Sequence, residues 1–209
     1  LLNGIQFSRN TPDMTAASSI RQANAGQYDF YLALHSNASG PGAGGRSRGI
    51  LAFYYPTSAN GRRAAELFVE NLRDIYPLPE KVSTRATTSL GEVRQPRFPS
   101  VLLELGYHDN PEDAAWIKSS LDAVAKNLVI SLTDYFDIPF LLPQPSRSGQ
   151  VDVDWGVLNI RARPELDAPI LVQAPDGAPL TVRNSTGDWY RVDYYGTVGY
   201  GRQDFITLI

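Results

Sequence analysis

Hydrophobic and polar positions follow two patterns along the chain, and the first covers about the first 139 of its 209 residues. Short apolar runs in this part predict strands that are buried on both faces; they are 4–7, 29–35, 48–56 and 100–105. Apolar spacings of three and four predict helices; they cover about 11–25, 58–75, a segment from 110, and a last helix ending near 136. This alternation predicts an α/β domain with a mostly parallel sheet flanked by helices on both faces.

Individual residues also predict where two helices begin and which face of the last helix is buried. Thr11 followed by Pro12 predicts the start of the first helix, because proline is favoured at the first helical position. Asn110 predicts the start of a later helix through a side-chain cap. Helical spacing predicts the inner face of the last helix, formed by Leu121, Val124, Leu128, Ser131, Leu132 and Tyr135.

The pattern changes after residue 139. The segment 139–150 is rich in proline and serine and is interpreted as a linker, because proline fixes the backbone and removes a hydrogen-bond donor. Short strands and turns follow, including a predicted hairpin of 189–194 and 198–201. This spacing predicts a small all-β barrel. The predicted domains are therefore 1–138 and 151–209, joined by the linker.

Composition narrows the possible functions. A net charge of −3 without a basic stripe argues against nucleic-acid binding, and no apolar run is long enough to span a membrane. The absence of cysteine excludes disulfides, thiolate zinc sites and a cysteine nucleophile, and it favours an extracellular location. The chain opens without methionine in a segment typical of a helix end, so we expect its true beginning upstream of Leu1.

Two chemically capable residues end predicted strands. His35 is one of only two histidines and follows the run 29–34, while Glu104 lies near the end of the run 100–105. Ligands and catalytic groups of α/β sheets collect at the carboxyl ends of strands. Each residue also has a plain structural interpretation: His35 as a loop-edge histidine bonded to a backbone carbonyl, and Glu104 as a buried carboxylate with a partner.

Segments around both residues resemble a known family. Residues 32–38, Leu-Ala-Leu-His-Ser-Asn-Ala, are similar to the Ser-Ile-His-Ala-Asn-Ala segment of zinc-dependent N-acetylmuramoyl-L-alanine amidases of type 3. Residues 99–110 resemble their Pro-x-Val-Leu-Val-Glu-Leu-Gly-Phe-x-x-Asn segment, and 5–10 their strand ending in Thr-Arg. The resemblance covers 1–137. It implies that His35 is a ligand of Zn²⁺ and that Glu104 is the catalytic general acid/base.

The same resemblance implies a substrate and a location. The bond cut would join the lactyl group of N-acetylmuramic acid to L-alanine in peptidoglycan, in the cell wall or outside the cell. The family has two further zinc ligands, a His and a Glu, which are not visible here; we expect them upstream of Leu1. The alternatives are a catalytically inactive amidase-like protein that binds peptidoglycan, and a zinc peptidase that cuts the peptide stems.

Two further residues and one loop near His35 and Glu104 are interpreted separately. His108 is interpreted as a loop residue and not a ligand. Glu92 is a second acid of the site, a substrate contact or, as we favour, a solvent-exposed partner of Arg94. The glycine-rich segment 39–46 is interpreted as a rim beside the site, because it lacks the Gly-Lys-Ser/Thr of a phosphate-binding loop.

The second domain resembles bacterial Src-homology-3-like domains. The similar segments are 158–164, 187–192 and 196–200. Such domains commonly direct cell-wall enzymes to peptidoglycan, which implies the same partner for both domains. Trp189, Tyr190 and Tyr200 are either contacts to that ligand or part of the small core.

Overall fold

The computed structural model describes residues 3–42 and 44–209. Its contacts divide the chain into two compact units: Ser8–Asp137, and Ile138–Ile209 together with the first seven residues. Each unit is described by itself. In the described part of the chain, no helix combines the length and apolar character needed to cross a membrane.

The described residues of the unit 8–137 form four strands and five α-helices. In chain order they are α1 (Ala16–Ala25), β1 (Tyr31–Asn37), β2 (Ile50–Tyr54), α2 (Ala59–Arg73), β3 (Val82–Ala86), α3 (Gly91–Arg94), β4 (Ser100–Tyr107), α4 (Pro111–Ser119) and α5 (Leu121–Phe136), with a short 3₁₀ turn at Pro79–Lys81.

The four strands form one sheet in the order β1-β4-β2-β3. Pairings β1–β4 and β2–β3 are parallel, and β2–β4 is antiparallel, so the sheet is mixed with parallel pairs in the majority. The antiparallel pair has a simple origin, since the chain passes from β1 to β2 through the loop 38–49 and not through a crossover helix. The predicted mostly parallel sheet is therefore confirmed.

Helices cover both faces of this sheet, as predicted. One face packs against α2 and α5, where Phe68 and Leu128 meet Leu103 in the main apolar cluster. The opposite face has a smaller cluster in which Val93 of α3 packs against Ala33 of β1 and residues of β4. Burial on both faces explains why β4 is continuously apolar up to Glu104, whereas in β1, an edge strand, only Ala33 is buried.

The amino-terminal predictions need correction. Residues 4–7 do not form a strand; Phe7 is 71% exposed and the segment pairs with no described strand. The first helix starts at Ala16 and not at Thr11, because Thr15 forms a capping box with Ser18. The two reciprocal hydrogen bonds of this cap satisfy the backbone N–H groups of Thr15 and Ser18.

The later helices match the prediction more closely. Asn110 caps α4, its side chain accepting from the backbone N–H groups of Glu112 and Asp113. On α5, Val124 and Leu128 are buried as predicted, but Leu121 is 63% exposed and does not belong to the inner face. Leu121 is the first residue of its helix, where the face that meets the sheet has not yet begun.

The other unit is built from one antiparallel sheet of seven strands. They are β5 (Arg147–Val151), β6 (Val157–Arg161), β7 (Ile170–Pro175), β8 (Pro179–Thr186), β9 (Trp189–Tyr194), β10 (Thr197–Arg202) and β11 (Ile206–Leu208), in the spatial order β11-β5-β8-β9-β10-β6-β7. Residues 147–150 of the segment interpreted as a linker thus belong to a strand.

The predicted hairpin is confirmed as β9 and β10. Tyr195 and Gly196 form its turn with φ angles of 48° and 88°, the left-handed pair that suits the twist of two-residue hairpins. Trp189 and Tyr200 are buried, so they contribute to the interior of this unit, whereas Tyr190 is half-buried against the apolar cluster.

Candidate functional site

His35 and Glu104 lie side by side at the carboxyl ends of two parallel strands. His35 of β1 and Glu104 of β4 are register partners in the β1–β4 ladder. Partners in such a ladder project to the same face of the sheet from strands about 4.8 Å apart. The structure thus brings together the two residues that the sequence singled out, although two strands, two α-helices and a 3₁₀ turn lie between them along the chain.

Glu104 has the environment of a proton-transfer group. Its Oε2 atom is buried and has no hydrogen-bond partner among the described residues, so the interpretation as a fully paired carboxylate does not hold for this oxygen. Burial raises the pKa of Glu104, and the charge of Glu92 adds to the rise, while His35 and His108 oppose it. A desolvated carboxylate with a raised pKa binds and releases protons nearer to neutral pH.

Glu92 is the site residue that the sequence interpretation missed. Its Oε2 atom lies 2.9 Å from Nε2 of His35, and its Oε1 atom accepts a hydrogen bond of 3.0 Å from the hydroxyl of Tyr31. The Glu92 side chain is only 13% exposed, so the favoured interpretation as a solvent-exposed partner of Arg94 is wrong. Leu90 and Val93, three residues apart, were the available signal that this segment is anchored and not a free loop.

His108 remains outside the centre of the site. Its Nδ1 atom lies 3.0 Å from the hydroxyl oxygen and 3.2 Å from the carbonyl oxygen of Ser36. This exposed imidazole therefore connects the loop after β4 to the end of β1. Its only part in the site is electrostatic, since its charge favours the ionised form of Glu104.

A cavity of about 420 Å³ opens beside β1. Residues 31–35 of β1 and the preceding Phe30, with Glu92, form one side, and residues 8–10 and side chains of α1 form the other. Arg9, Asn10 and Gln22 are polar residues of this lining, and Glu92 balances the charge of Arg9. His35 is itself one of the lining residues.

The glycine-rich segment 39–46 has a different position from the cavity lining. It is tied to the loop after β4, because the backbone N–H of Ser39 donates to Asp109 and the side chain of Asn110 donates to the carbonyl of Gly45. These bonds hold the loop that follows β1 against the loop that follows β4, at the end of the sheet that carries His35 and Glu104.

A buried carboxylate fixes the end of β4. Asp113 accepts four hydrogen bonds, from Nε of Arg48, the hydroxyl of Tyr76, and the backbone N–H groups of Gly49 and Tyr107. Burial alone raises the pKa of Asp113, but these hydrogen bonds outweigh it and the pKa is lowered. The ionised carboxylate thereby sets the backbone three residues after Glu104 and at the start of β2.

The described residues do not by themselves form a metal site. His35 and Glu92 place two donor atoms together, yet no group of three or more His, Cys, Asp and Glu residues in the described part of the chain could hold a metal ion. A catalytic zinc takes three protein ligands and a water. These residues by themselves therefore do not fit a complete catalytic zinc site.

Solved structures with a similar fold are cell-wall amidases and an endolysin. The catalytic domain of an endolysin targeting Clostridia difficile is 25% identical, with a TM-score of 0.50 over 57% of this chain and 62% of that domain. The CwlD amidase of Clostridioides difficile, solved with the GerS lipoprotein, is 13% identical, with a TM-score of 0.52 over 64% of this chain and 71% of that one. The chain thus spans less than two thirds of the endolysin domain.

A third structure is the catalytic domain of CwlV, an N-acetylmuramoyl-L-alanine amidase from Bacillus (Paenibacillus) polymyxa var. colistinus. It is 19% identical, with a TM-score of 0.51 over 60% of this chain and 68% of that domain. A comparison with curated protein sequences found no match.

Family models match both parts of the chain. Residues 4–134 match the model of N-acetylmuramoyl-L-alanine amidases, and residues 156–207 match that of bacterial SH3 domains. The first match covers more than half of the chain and includes β1 to β4 with His35 and Glu104. The chain therefore belongs to the N-acetylmuramoyl-L-alanine amidase family and carries a bacterial SH3 domain after its amidase domain.

Proposed function

We propose that this protein hydrolyses the amide bond between N-acetylmuramic acid and L-alanine in peptidoglycan. The observation that carries the proposal is the ladder pair of His35 and Glu104, in which Oε2 of Glu104 is buried and unpaired among the described residues. Membership of the amidase family supports the reaction class. The cell wall or extracellular space is the corresponding place of action.

Glu104 is the general acid/base of this reaction. Its carboxylate takes a proton from the attacking water and delivers it to the nitrogen of L-alanine as that nitrogen leaves the lactyl carbonyl. The raised pKa of Glu104 suits both steps, because the group must be ionised to accept the proton and then acidic enough to release it. The water-poor surroundings of Oε2 strengthen this exchange.

His35 would be one ligand of a zinc ion in this reaction. Zinc, when bound, supplies Lewis acidity toward the carbonyl and the water. The described residues offer too few donor atoms for it, so a complete site requires ligands in addition to those described. We therefore assign to this part of the chain one imidazole ligand and the acid/base.

Two further features support peptidoglycan as the partner. The polar lining residues Arg9, Asn10 and Gln22 of the cavity suit a peptide stem that carries amide and carboxylate groups. The bacterial SH3 domain of residues 156–207 provides a second attachment to the same polymer.

The test uses purified peptidoglycan and the zinc-supplemented full-length protein. We expect new amino groups on L-alanine and glycan strands that keep an intact lactyl group, identified by mass spectrometry. Glu104→Gln should lower the rate about 10²- to 10⁴-fold, the usual contribution of a general acid/base. Glu66→Gln, an exposed carboxylate on α2, is the matched control and should keep the rate.

Other products identify the alternatives. New amino groups within the stem, with L-alanine still joined to the lactyl group, indicate a peptidase. Peptidoglycan binding without any new amino group, in protein that is loaded with zinc, indicates a non-catalytic binding protein. Undiminished activity of Glu104→Gln refutes the assigned role of Glu104.

A further inference from the structure

The sheet continues beyond Glu104 on the side that faces away from the cavity. His35 lines the cavity, whereas Glu104 is not among the described residues that line it. In the proposed reaction, the bond that is cut joins two arms of the substrate, a peptide stem and a glycan. Because the cavity suits the stem, the glycan has to leave the site in another direction.

One row of side chains crosses all four strands of the sheet at the level of the site. His35 of β1 is the register partner of Glu104 in β4. In the same way Glu104 is paired with Leu51 of β2, and Leu51 is paired with Ser83 of β3. Register partners project from the same face, so Ser83 lies about 10 Å from Glu104, two strand spacings away.

A second row on the same face repeats this arrangement two residues further along β2 and β3. Phe53 is the register partner of Arg85, and Phe53 packs against the small apolar cluster that contains Val93 of α3. Leu51 and Phe53 are half-buried, whereas Ser83 and Arg85 are exposed. These four residues, 51, 53, 83 and 85, form the strip of sheet surface next to Glu104.

The side chains of this strip are chemically suited to a carbohydrate. The two half-buried apolar side chains offer a surface to the C–H face of a sugar ring. The hydroxyl of Ser83 can donate and accept, and the guanidinium of Arg85 carries five donors. Among the described residues, Arg85 has no ion-pair partner, so these donors are available to a ligand. An apolar surface with a few polar groups that fix orientation is typical of ligand sites.

We propose that this strip binds the glycan arm of the substrate, with Ser83 and Arg85 as its hydrogen-bonding residues. The proposal rests on the proposed hydrolysis of peptidoglycan, and it adds the direction in which the glycan leaves the site. Because the strip extends about 10 Å from Glu104, it reaches past the sugar that carries the stem. The enzyme therefore favours stems that are attached to longer glycans.

Nuclear magnetic resonance tests the binding of sugar without any hydrolysis. The probe is chitotetraose, a neutral chain of N-acetylglucosamine residues, and we expect it to shift the backbone amide signals of Leu51 and Ser83. Arg85→Ala should weaken the affinity measured at these signals about tenfold, the equivalent of one charge-assisted hydrogen bond. Arg62→Ala is the matched control, since this exposed arginine lies on α2, which covers the opposite face, and it should leave the affinity unchanged.

The kinetics of hydrolysis distinguish a binding role of Arg85 from a structural one. The substrates are the same peptide stem on a disaccharide and on a tetrasaccharide, cleaved by the zinc-supplemented full-length protein. The wild type should have the lower KM for the tetrasaccharide. Arg85→Ala should remove most of this difference by raising the KM of the longer substrate, with a much smaller change in kcat. Arg85→Lys should restore part of the difference, because the ammonium group still donates hydrogen bonds.

Three results overturn the proposal. They are strip signals that do not respond to chitotetraose, strip signals that respond instead to a free stem peptide, and a KM difference between the two substrates that is the same in Arg85→Ala and the wild type. The magnetic-resonance measurement does not depend on cleavage. Binding of chitotetraose at the strip by a protein that does not cleave peptidoglycan therefore refutes the proposed reaction and leaves the sugar-binding surface standing.

Discussion

Replacement of Asp113 by asparagine should destabilise the amidase domain strongly. The Asp113 side chain is fully buried at the amino-terminal turn of α4, and each of its oxygens accepts two hydrogen bonds. Oδ1 accepts hydrogen bonds from Nε of Arg48 at 2.9 Å and from the hydroxyl of Tyr76 at 2.6 Å. Oδ2 accepts from the backbone N–H groups of Gly49 at 3.1 Å and Tyr107 at 3.0 Å. Asparagine has nearly the same volume, so the change tests charge and hydrogen bonding alone.

The expected loss follows from these four bonds. Whichever way the amide of D113N is turned, its NH₂ group faces two donors and leaves both without an acceptor. Each buried unsatisfied group costs about 1–3 kcal/mol. The guanidinium of Arg48 also loses a buried charge partner, for which the total cost is typically about 3–5 kcal/mol. We therefore expect the free energy of unfolding to fall by about 3–5 kcal/mol, a large part of a usual domain stability of about 5–15 kcal/mol.

Urea unfolding followed by the helical circular-dichroism signal measures this loss, because α1 to α5 all lie in residues 8–137. Glu112→Gln is the matched control: Glu112 pairs with the same Arg48 but its side chain is 73% exposed. Such an exposed pair contributes less than about 1 kcal/mol. A loss in D113N below about 1 kcal/mol, or no greater than in the control, refutes the role of the buried carboxylate.

Three further measurements follow from the same unit. The lowered pKa of Asp113 stabilises the folded state above the ordinary carboxyl pKa of about 3.9, and this stabilisation is lost as the pH falls through the lowered folded value. In D113N, the free energy of unfolding should therefore fall less steeply as the solution is made acidic. Gly49→Ala should unfold at a lower urea concentration than Gly42→Ala. Both positions have positive φ, but only a Cβ at position 49 meets a backbone carbonyl oxygen, at 2.5 Å. Equal unfolding midpoints contradict this. Leu128→Ala should cost about 2–5 kcal/mol in the same assay and the exposed Leu121→Ala less than about 1, and the reverse order contradicts the assigned inner face of α5.

The sequence was sufficient for elements whose signals are local. The apolar runs that became β1 and β4, and the Asn110 cap of α4, depend on residues that are adjacent or one helical turn apart. The strand β3 gave no such signal, because it is at the edge of the sheet and buries only Val82 fully. The next three side chains, Ser83, Thr84 and Arg85, are polar.

The site was only half visible for a related reason. His35 and Glu104 each end an apolar run, so each stood out by itself, and their register followed from the sheet. The contact of His35 with Glu92 joins residues 57 positions apart through an intervening fold, and nothing in the sequence around either one encodes it. Likewise, the start of α1 was predicted wrongly. Thr11 and Thr15 are both residues that can cap a helix, and the reciprocal bonds to Ser18 that distinguish Thr15 are seen only in the structure.

Because His35 and Glu104 are register partners in neighbouring strands, the backbone sets the distance between them. Adjacent strands are about 4.8 Å apart whatever side chains they carry. The interval between the two groups is thus inherited from the hydrogen bonding of β1 to β4 and does not rely on contact between the groups themselves. The backbone therefore fixes the distance between positions 35 and 104. Replacing both side chains by other reactive groups would place a different chemistry on the same two strands at an unchanged distance.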